Sequence, residues 1–354
     1  MANESPNKSM SNIPPPIKPM RKLPADSRVL ADELKPILDG LERGRQQALA
    51  KIRQGWKRIG LTALITVGVT VAILAIITTV TGPNDGPQVF ALCPVVIGVV
   101  ICIITYTSYI SGHSQAYEAV YKEKVIGGMT RLLQPGMSFS PARGISEESF
   151  RATGLYSSSI DRYSCEDLFA GKIDKTGLMF SELHAEERRT RTDSKGRSET
   201  YWVTIFQGLV FIADFNKNFR SWLTIKPDFA ESSFGWLGRK IQSFNSDLVR
   251  LENPDFERAF VVHGGDQVEA RYILTPDLQE RLLKLRAAYG DDIRMSLHAS
   301  RFHLSIPKSE DWFEPSMNLP AHDLSQMQTF VNQMSWIFGI VELLDLNTRI
   351  WSKV

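Results

Sequence analysis

Apolar residues are concentrated in two places along the chain. From Ile59 to Asn84, and again from Gly86 to Tyr117, there is no Asp, Glu, Lys or Arg apart from the single Asp85 between the two runs. Within them lie two dense blocks, Ile59–Val80 and Val89–Ile110. Each is about 22 residues, which predicts a helix of ~33 Å, enough to cross a hydrocarbon layer of ~30 Å. Between the blocks, Thr81 to Gln88 is rich in turn formers and predicts the tip of a helical hairpin. Residues 27–58 place Leu30, Leu34, Ile37, Leu41, Ala48 and Ile52 at three- and four-residue steps, a helical face that runs into the first block without a breaker. Pro36 starts or kinks this helix. Ser114–Leu133 continues helically out of the second block, with Ala116, Tyr117, Val120 and Tyr121 on one face, and Gln134-Pro135-Gly136 ends it. The hairpin therefore extends into either a two-helix stalk, with Glu118 and Glu123 meeting basic residues of the partner helix, or two independent helices.

Beyond a Ser-, Pro- and Gly-containing loop, a short helix is expected near Ser146–Ala152, and then the period changes from helix to strand. Glu166–Ile173, Leu178–Arg189, Thr200–Phe206, Leu209–Phe215 and Phe219–Ile225 predict an antiparallel meander of about five strands. Its turns fall at Asp174–Gly177, at the polar loop Asp193–Arg197, at Gln207-Gly208 and at Asn216–Asn218. Phe234–Lys240 is an aromatic link that either touches a membrane surface or packs on the sheet. A short helix follows Pro254. Thr275-Pro276 caps a helix that ends at Gly290. Ile293–His298 and Phe302–Ile306 predict a hairpin, and Ser325–Leu344 an amphipathic helix. The fold class is α+β: a helical hairpin with a stalk, then a mostly antiparallel sheet with a few helices. The division is a Pro-rich disordered tail over 1–26, stalk and spans over 27–133, and a cytoplasmic α+β domain over 150–354.

The average composition, 43% hydrophobic and 23% charged, conceals the blocks. Charge orients them. Arg43, Arg45, Lys51, Arg53, Lys57 and Arg58 precede the first block, and Lys122, Lys124 and Arg131 follow the second. The connecting loop has no Lys or Arg, so both ends read as cytoplasmic in a cell membrane. The same basic collar attracts anionic head groups. Cys93 and Cys102 lie inside the second block and Cys165 stands alone, a pattern with neither a disulfide framework nor zinc-ligand spacing.

Several segments carry a family resemblance: Tyr163–Asp167 with Gly171–Ile173, Phe180–Glu186, Val203–Lys217, Val249–Glu257 and Asp266–Pro276. Over roughly residues 150–310 the chain resembles a bacterial family of unknown function that sometimes carries the label "galanin". The resemblance implies two membrane spans before the domain, a bacterial inner-membrane setting, and a LemA-like membrane protein as a partner. It supplies no catalytic roles.

The residues themselves show no phosphate-binding loop, dinucleotide fingerprint, nucleophile elbow or kinase signature. No catalytic, cofactor-binding or metal site is assigned, and no cofactor is called for. Arg188, Arg189, Arg191, Lys195 and Arg197 make one hairpin end basic, a candidate contact for lipid phosphates or a protein partner, with a solvated tip as the plain alternative. Nucleic acid is not expected. An alternative polar site combines His184 with His263, Asp266 and Glu269. Against it, His184 and Glu187 are three apart on a strand and so face opposite sides, and Asp266 suits a helix cap. His298 and His303 flank a turn and could face each other across it. The expectation is a membrane-anchored cytoplasmic module that binds the bilayer or a membrane protein; the competing expectation is a membrane-anchored hydrolase.

Overall fold

The computed structural model describes residues 27–81, 92–192, 194, 196–215, 217–228 and 247–347. The expected tail, the hairpin tip, the Phe234–Lys240 link and Lys195 lie outside the described residues. The chain divides into a helical unit, 28–125 with 314–327, and a sheet unit built mainly from 126–313 and the residues from 328 onward.

In the helical unit, α1 (Ser27–Glu33) is followed by α2 (Lys35–Thr81), a single helix of 47 residues. Pro36 sits in its first turn, where a missing N–H costs nothing. The return limb is α3 (Leu92–Thr105), a π-helical turn (Tyr106–Ser111), α4 (Gly112–Tyr121) and a second π-helical turn that begins at Lys122. Two glycines let the limbs approach closely. A Cβ on Gly98 would lie 2.3 Å from Thr66 Oγ1, and one on Gly55 would lie 2.9 Å from Tyr109 Cβ. Arg58 donates to the Tyr109 hydroxyl at 2.6 Å. Along α2, the hydroxyls of Thr62, Thr66 and Thr70 each donate to the carbonyl four residues back, which removes their polarity from the apolar surface. Both limbs contain stretches long and apolar enough to cross a membrane. Glu118 accepts from Ser114 of its own helix at 2.7 Å, not from the basic residues of α2 expected above.

A strap, residues 314–327, crosses these helices and is fixed by polar contacts. Glu42 accepts from the Ala321 amide at 2.8 Å, and Arg45 donates to the Met317 carbonyl at 3.0 Å while gripping Glu42 with both ends of its guanidinium. Tyr121 donates to the Ala321 carbonyl at 3.3 Å and accepts from Gln326 at 3.1 Å. Buried Lys122 pairs with Glu314.

The sheet unit begins with α5 (Gly127–Leu133) and β1 (Met137–Ser140). Next come α6 (Glu147–Ala152), capped by the Ser146 hydroxyl, β2 (Arg162–Ile173), β3 (Thr176–Thr192) and β4 (Ser198–Asp214). Then come β5 (Leu223–Pro227), β6 (Leu248–Val249), α7 (Pro254–Ala259), β7 (Phe260–Gly264) and α8 (Gln267–Ile273). Last are α9 (Pro276–Tyr289), β8 (Arg294–His298), β9 (Arg301–Pro307) and α10 (Leu324–Leu343), whose first turn belongs to the strap. Among the described residues, nine antiparallel strands form one sheet in the order β1-β2-β3-β4-β9-β8-β5-β7-β6. The fold is therefore α+β.

Two expectations are corrected. Gln207-Gly208 is no turn: β4 is continuous for 17 residues. Gly208 sits at φ +145° where β9 approaches, and a Cβ there would lie 2.2 Å from the Ile306 carbonyl oxygen. The glycine is required by strand contact, a signal that sequence alone does not separate from a turn. The meander also stops at β4, because β9 and β8 insert between it and β5. By contrast, Asp174-Lys175 does form the tight β2–β3 turn, with Asp174 at φ 51°.

Both faces of the central strands are covered. One carries Leu183, Ala185, Phe206, Val210 and Ile212, packed with Ile145 and Phe150 of the α6 region. The other carries Phe180, stacked on Phe169 at 4.4 Å, with Phe338 of α10 at 6.0 Å.

Candidate functional site

On the second face of β3 the side chains change character beyond Phe180. The next two positions on that face are Glu182 and His184, and they are no longer sealed by aromatic rings. Across the ladders, Glu182 is opposite Glu166 of β2, and His184 is opposite Ser164 of β2 and Gln207 of β4. Directly opposite residues in antiparallel strands share a face, so five polar side chains converge by register alone. The segment after β9 brings Lys308, Glu310, Asp311 and Trp312 to the same place. Together they line a cleft of about 480 Å³.

The electrostatics of the cleft are uneven. Glu182 accepts from the Trp312 amide at 2.6 Å, which ties the wall to the sheet. Lys308 lies 5.4 Å from the Trp312 ring and 5.0 Å from the Trp336 ring, and burial pushes its ammonium below the usual lysine range. His184 Nε2 is buried without a hydrogen-bond partner among the described residues, 3.9 Å from a Glu186 carboxylate oxygen. A bulge between Ala185 and Glu186 alters the simple alternation assumed for this stretch. Cys165 sits on the opposite side of β2, and burial raises its thiol. Four carboxylates against one ammonium, beside an indole, suit a cationic or strongly hydrogen-bonding group.

The residues singled out from sequence do not meet. His184 is on β3 and His263 on β7, five strand spacings apart, or about 24 Å. Asp266 caps α8 by accepting from the amides of Val268 and Glu269. Glu269 in turn accepts from the amides of Arg220 and Ser221, at 2.9 and 2.6 Å. Both acids thus hold backbone in place. Burial lowers the His263 imidazole. His298 is paired with Arg301, and His303 with Ser296, so the two histidines do not face each other. His303 is buried beside the Ser296 hydroxyl at 3.2 Å, and burial pushes it down to about 4.

The basic run is also divided. Arg188 is opposite Trp202, and Arg189 is opposite Tyr201, so alternation sends neighbouring arginines to different faces of the β3–β4 ribbon. Arg191 shares a face with Arg189 and lies opposite Glu199, while Arg189 pairs with Glu187 at 2.7 Å. Trp202 is covered by the Arg162 guanidinium at 4.0 Å. Arg197 precedes β4.

Sequence reasoning reached His184 but not its neighbours. Glu166, Glu182, Gln207 and the Lys308–Trp312 segment are brought together by strand register, for which no local motif exists.

An α+β sheet unit with a polar cleft, accompanied by two apolar helices, is the class that these observations define. A family model described as "Protein of unknown function (DUF3137)" matches residues 204–346, from within β4 to just past α10. No curated protein matches. A solved structure, that of the mycobacterial trehalose monomycolate transport factor A, TtfA, is similar at 8% identity over 58% of this chain and 88% of that one. Its TM-score is 0.26.

Proposed function

We propose that the chain is a membrane-anchored module whose sheet unit faces the cytoplasm and binds a protein partner or the lipid surface. The observation that carries this reading is the outward apolar surface of α2 and α3. Leu64 is 71% exposed, Val67 61%, Ile76 62% and Ile97 60%, and the apolar stretch of α2 has none of its residues buried. A bilayer covers such a surface at no cost, whereas water does not. The basic residues before and after the apolar stretches favour both termini on the cytoplasmic side. The family resemblance suggests a LemA-like membrane protein as the partner.

The test is topology. A C-terminal tag should be digested in inverted membrane vesicles and protected in intact cells, and the chain should resist carbonate extraction. Release by carbonate, or digestion of the tag from outside intact cells, rejects the reading. The cleft supports a second reading, a membrane-anchored hydrolase, because His184 stands beside Glu166 and Glu182. That reading requires His184→Ala to abolish turnover of some ester or amide substrate without unfolding the sheet unit.

A further inference from the structure

Past Glu186 the β3–β4 pair leaves the sheet. Arg162 opposite Glu186 is the last pairing of β2 with β3, and β9 pairs with β4 only from Gly208 onward. Residues 188–192 and 198–202 therefore form a free two-stranded ribbon ~17 Å long, and each of these side chains is exposed. A lone two-stranded ribbon is marginal in water, so this one gains from a surface that covers one of its faces.

Its two faces differ. On one, the arginines meet acids: Arg189 pairs with Glu187 at 2.7 Å, and Arg191 lies opposite Glu199. On the other, Arg188 lies opposite Trp202, followed by Thr190 opposite Thr200 and Thr192 opposite Ser198. The Arg162 guanidinium stacks 4.0 Å from the Trp202 ring and pairs with Glu186 at 3.0 Å, so Glu186 is already neutralised. Among the described residues nothing pairs with the Arg188 guanidinium. This face thus presents an indole that is 40% exposed, a guanidinium on either side of it and a run of hydroxyls, with no uncompensated carboxylate among the described residues.

An indole between cations, with hydroxyls beyond, matches a phospholipid head-group layer. The ring suits the boundary between apolar and wet regions, the guanidiniums suit phosphates, and the hydroxyls suit phosphate and ester oxygens. We infer that the Trp202–Arg188 face of the ribbon lies on an anionic bilayer surface, with the Arg189–Arg191 face turned away from it. The inference deepens the lipid-surface reading above and rests on membrane anchoring for its bilayer. Single-stranded nucleic acid carries the same phosphate chemistry but is held by successive stacking rings, and this face has one.

The test is hydrogen exchange of the full chain in nanodiscs of phosphatidylcholine alone, or of phosphatidylcholine with phosphatidylglycerol. Peptides covering 186–204 should exchange more slowly with phosphatidylglycerol, by about fivefold for each guanidinium engaged. Arg188→Gln should remove about fivefold of that protection and Arg189→Gln almost none. Both side chains are exposed, so neither change should move the melting midpoint of the sheet unit. Equal exchange of the ribbon in the two discs overturns the inference, and so do equal losses from Arg188→Gln and Arg189→Gln. Protection of the ribbon by a single-stranded oligonucleotide on the detergent-solubilised chain, with none from phosphatidylglycerol, overturns it in favour of nucleic acid. An inserted chain with an unprotected ribbon overturns this inference alone; failure of the chain to enter either disc overturns the anchoring reading as well.

Discussion

Phe180 and Tyr121 are both wholly buried, yet their surroundings have little in common. Phe180 is enclosed by other rings, stacked on Phe169 and edged by Phe338. Tyr121 is held by its hydroxyl, between the Ala321 carbonyl and the Gln326 amide. The sheet unit is thus closed by apolar area over a hydrogen-bonded ladder. The strap end of the helical unit also buries apolar side chains, Leu34, Leu38 and Met327 among them, but adds several directed polar bonds that the aromatic stack lacks. Apolar area is insensitive to pH and tolerates small shifts, whereas a directed bond fails when either partner changes charge or moves by an ångström.

Four changes test this contrast. The largest effect is expected from Phe180→Ala, which empties a ring-sized space in the sheet unit and should cost ~3–5 kcal/mol in chemical denaturation. A loss below about 1 kcal/mol would mean that the aromatic stack is not what closes that unit. Next comes acid. His303 is held down to about 4, so the folded state stays neutral where the unfolded chain takes up a proton. Stability from this residue is complete above about 6.5 and is lost as pH falls toward 4, by up to ~3 kcal/mol. His303→Phe should flatten the melting temperature of the sheet unit across that window.

Glu42 gives a separate window. The Arg45 guanidinium, helped by the Ala321 amide and opposed by burial, holds its carboxyl down to about 2 against an ordinary 4.5. Its contribution is present above 4.5 and disappears as pH falls toward 2, so the strap should loosen at lower pH than the sheet unit does. Glu42→Ala should detach the strap at neutral pH, at a cost of ~1–3 kcal/mol, seen as faster proteolysis within 314–327. If both units lose protection over the same pH range in hydrogen exchange, the contrast fails. The smallest effect belongs to Arg189→Gln on the exposed ribbon, where loss of the solvated ion pair with Glu187 should leave the melting midpoint of the sheet unit unchanged.

What the sequence disclosed divides along the same line. Local signals were legible: the uncharged blocks, Pro36 at a helix start, the Thr275-Pro276 cap and the Asp174-Lys175 turn are each set by residues within a few positions of one another. Features that depend on distant neighbours were not. Gly208 looked like a turn because its reason, the approach of β9, lies about a hundred residues on. The cleft needs Glu166, Glu182, Gln207 and Trp312 from four segments, and strand register is invisible in any one of them. The strap has no period, and its attachment to Glu42 and Arg45 spans more than 270 positions.

One further property follows from the length of α2. At 47 residues without a break it is a rod of ~70 Å. A rod has mechanical gain. A tilt of about 10° about one end carries the other end through ~12 Å, far more than the 0.5 Å or so that a hydrogen bond tolerates. The Glu42 and Arg45 clasps sit within the first quarter of that rod, so the strap is in effect a strain gauge for whatever inclines the apolar end.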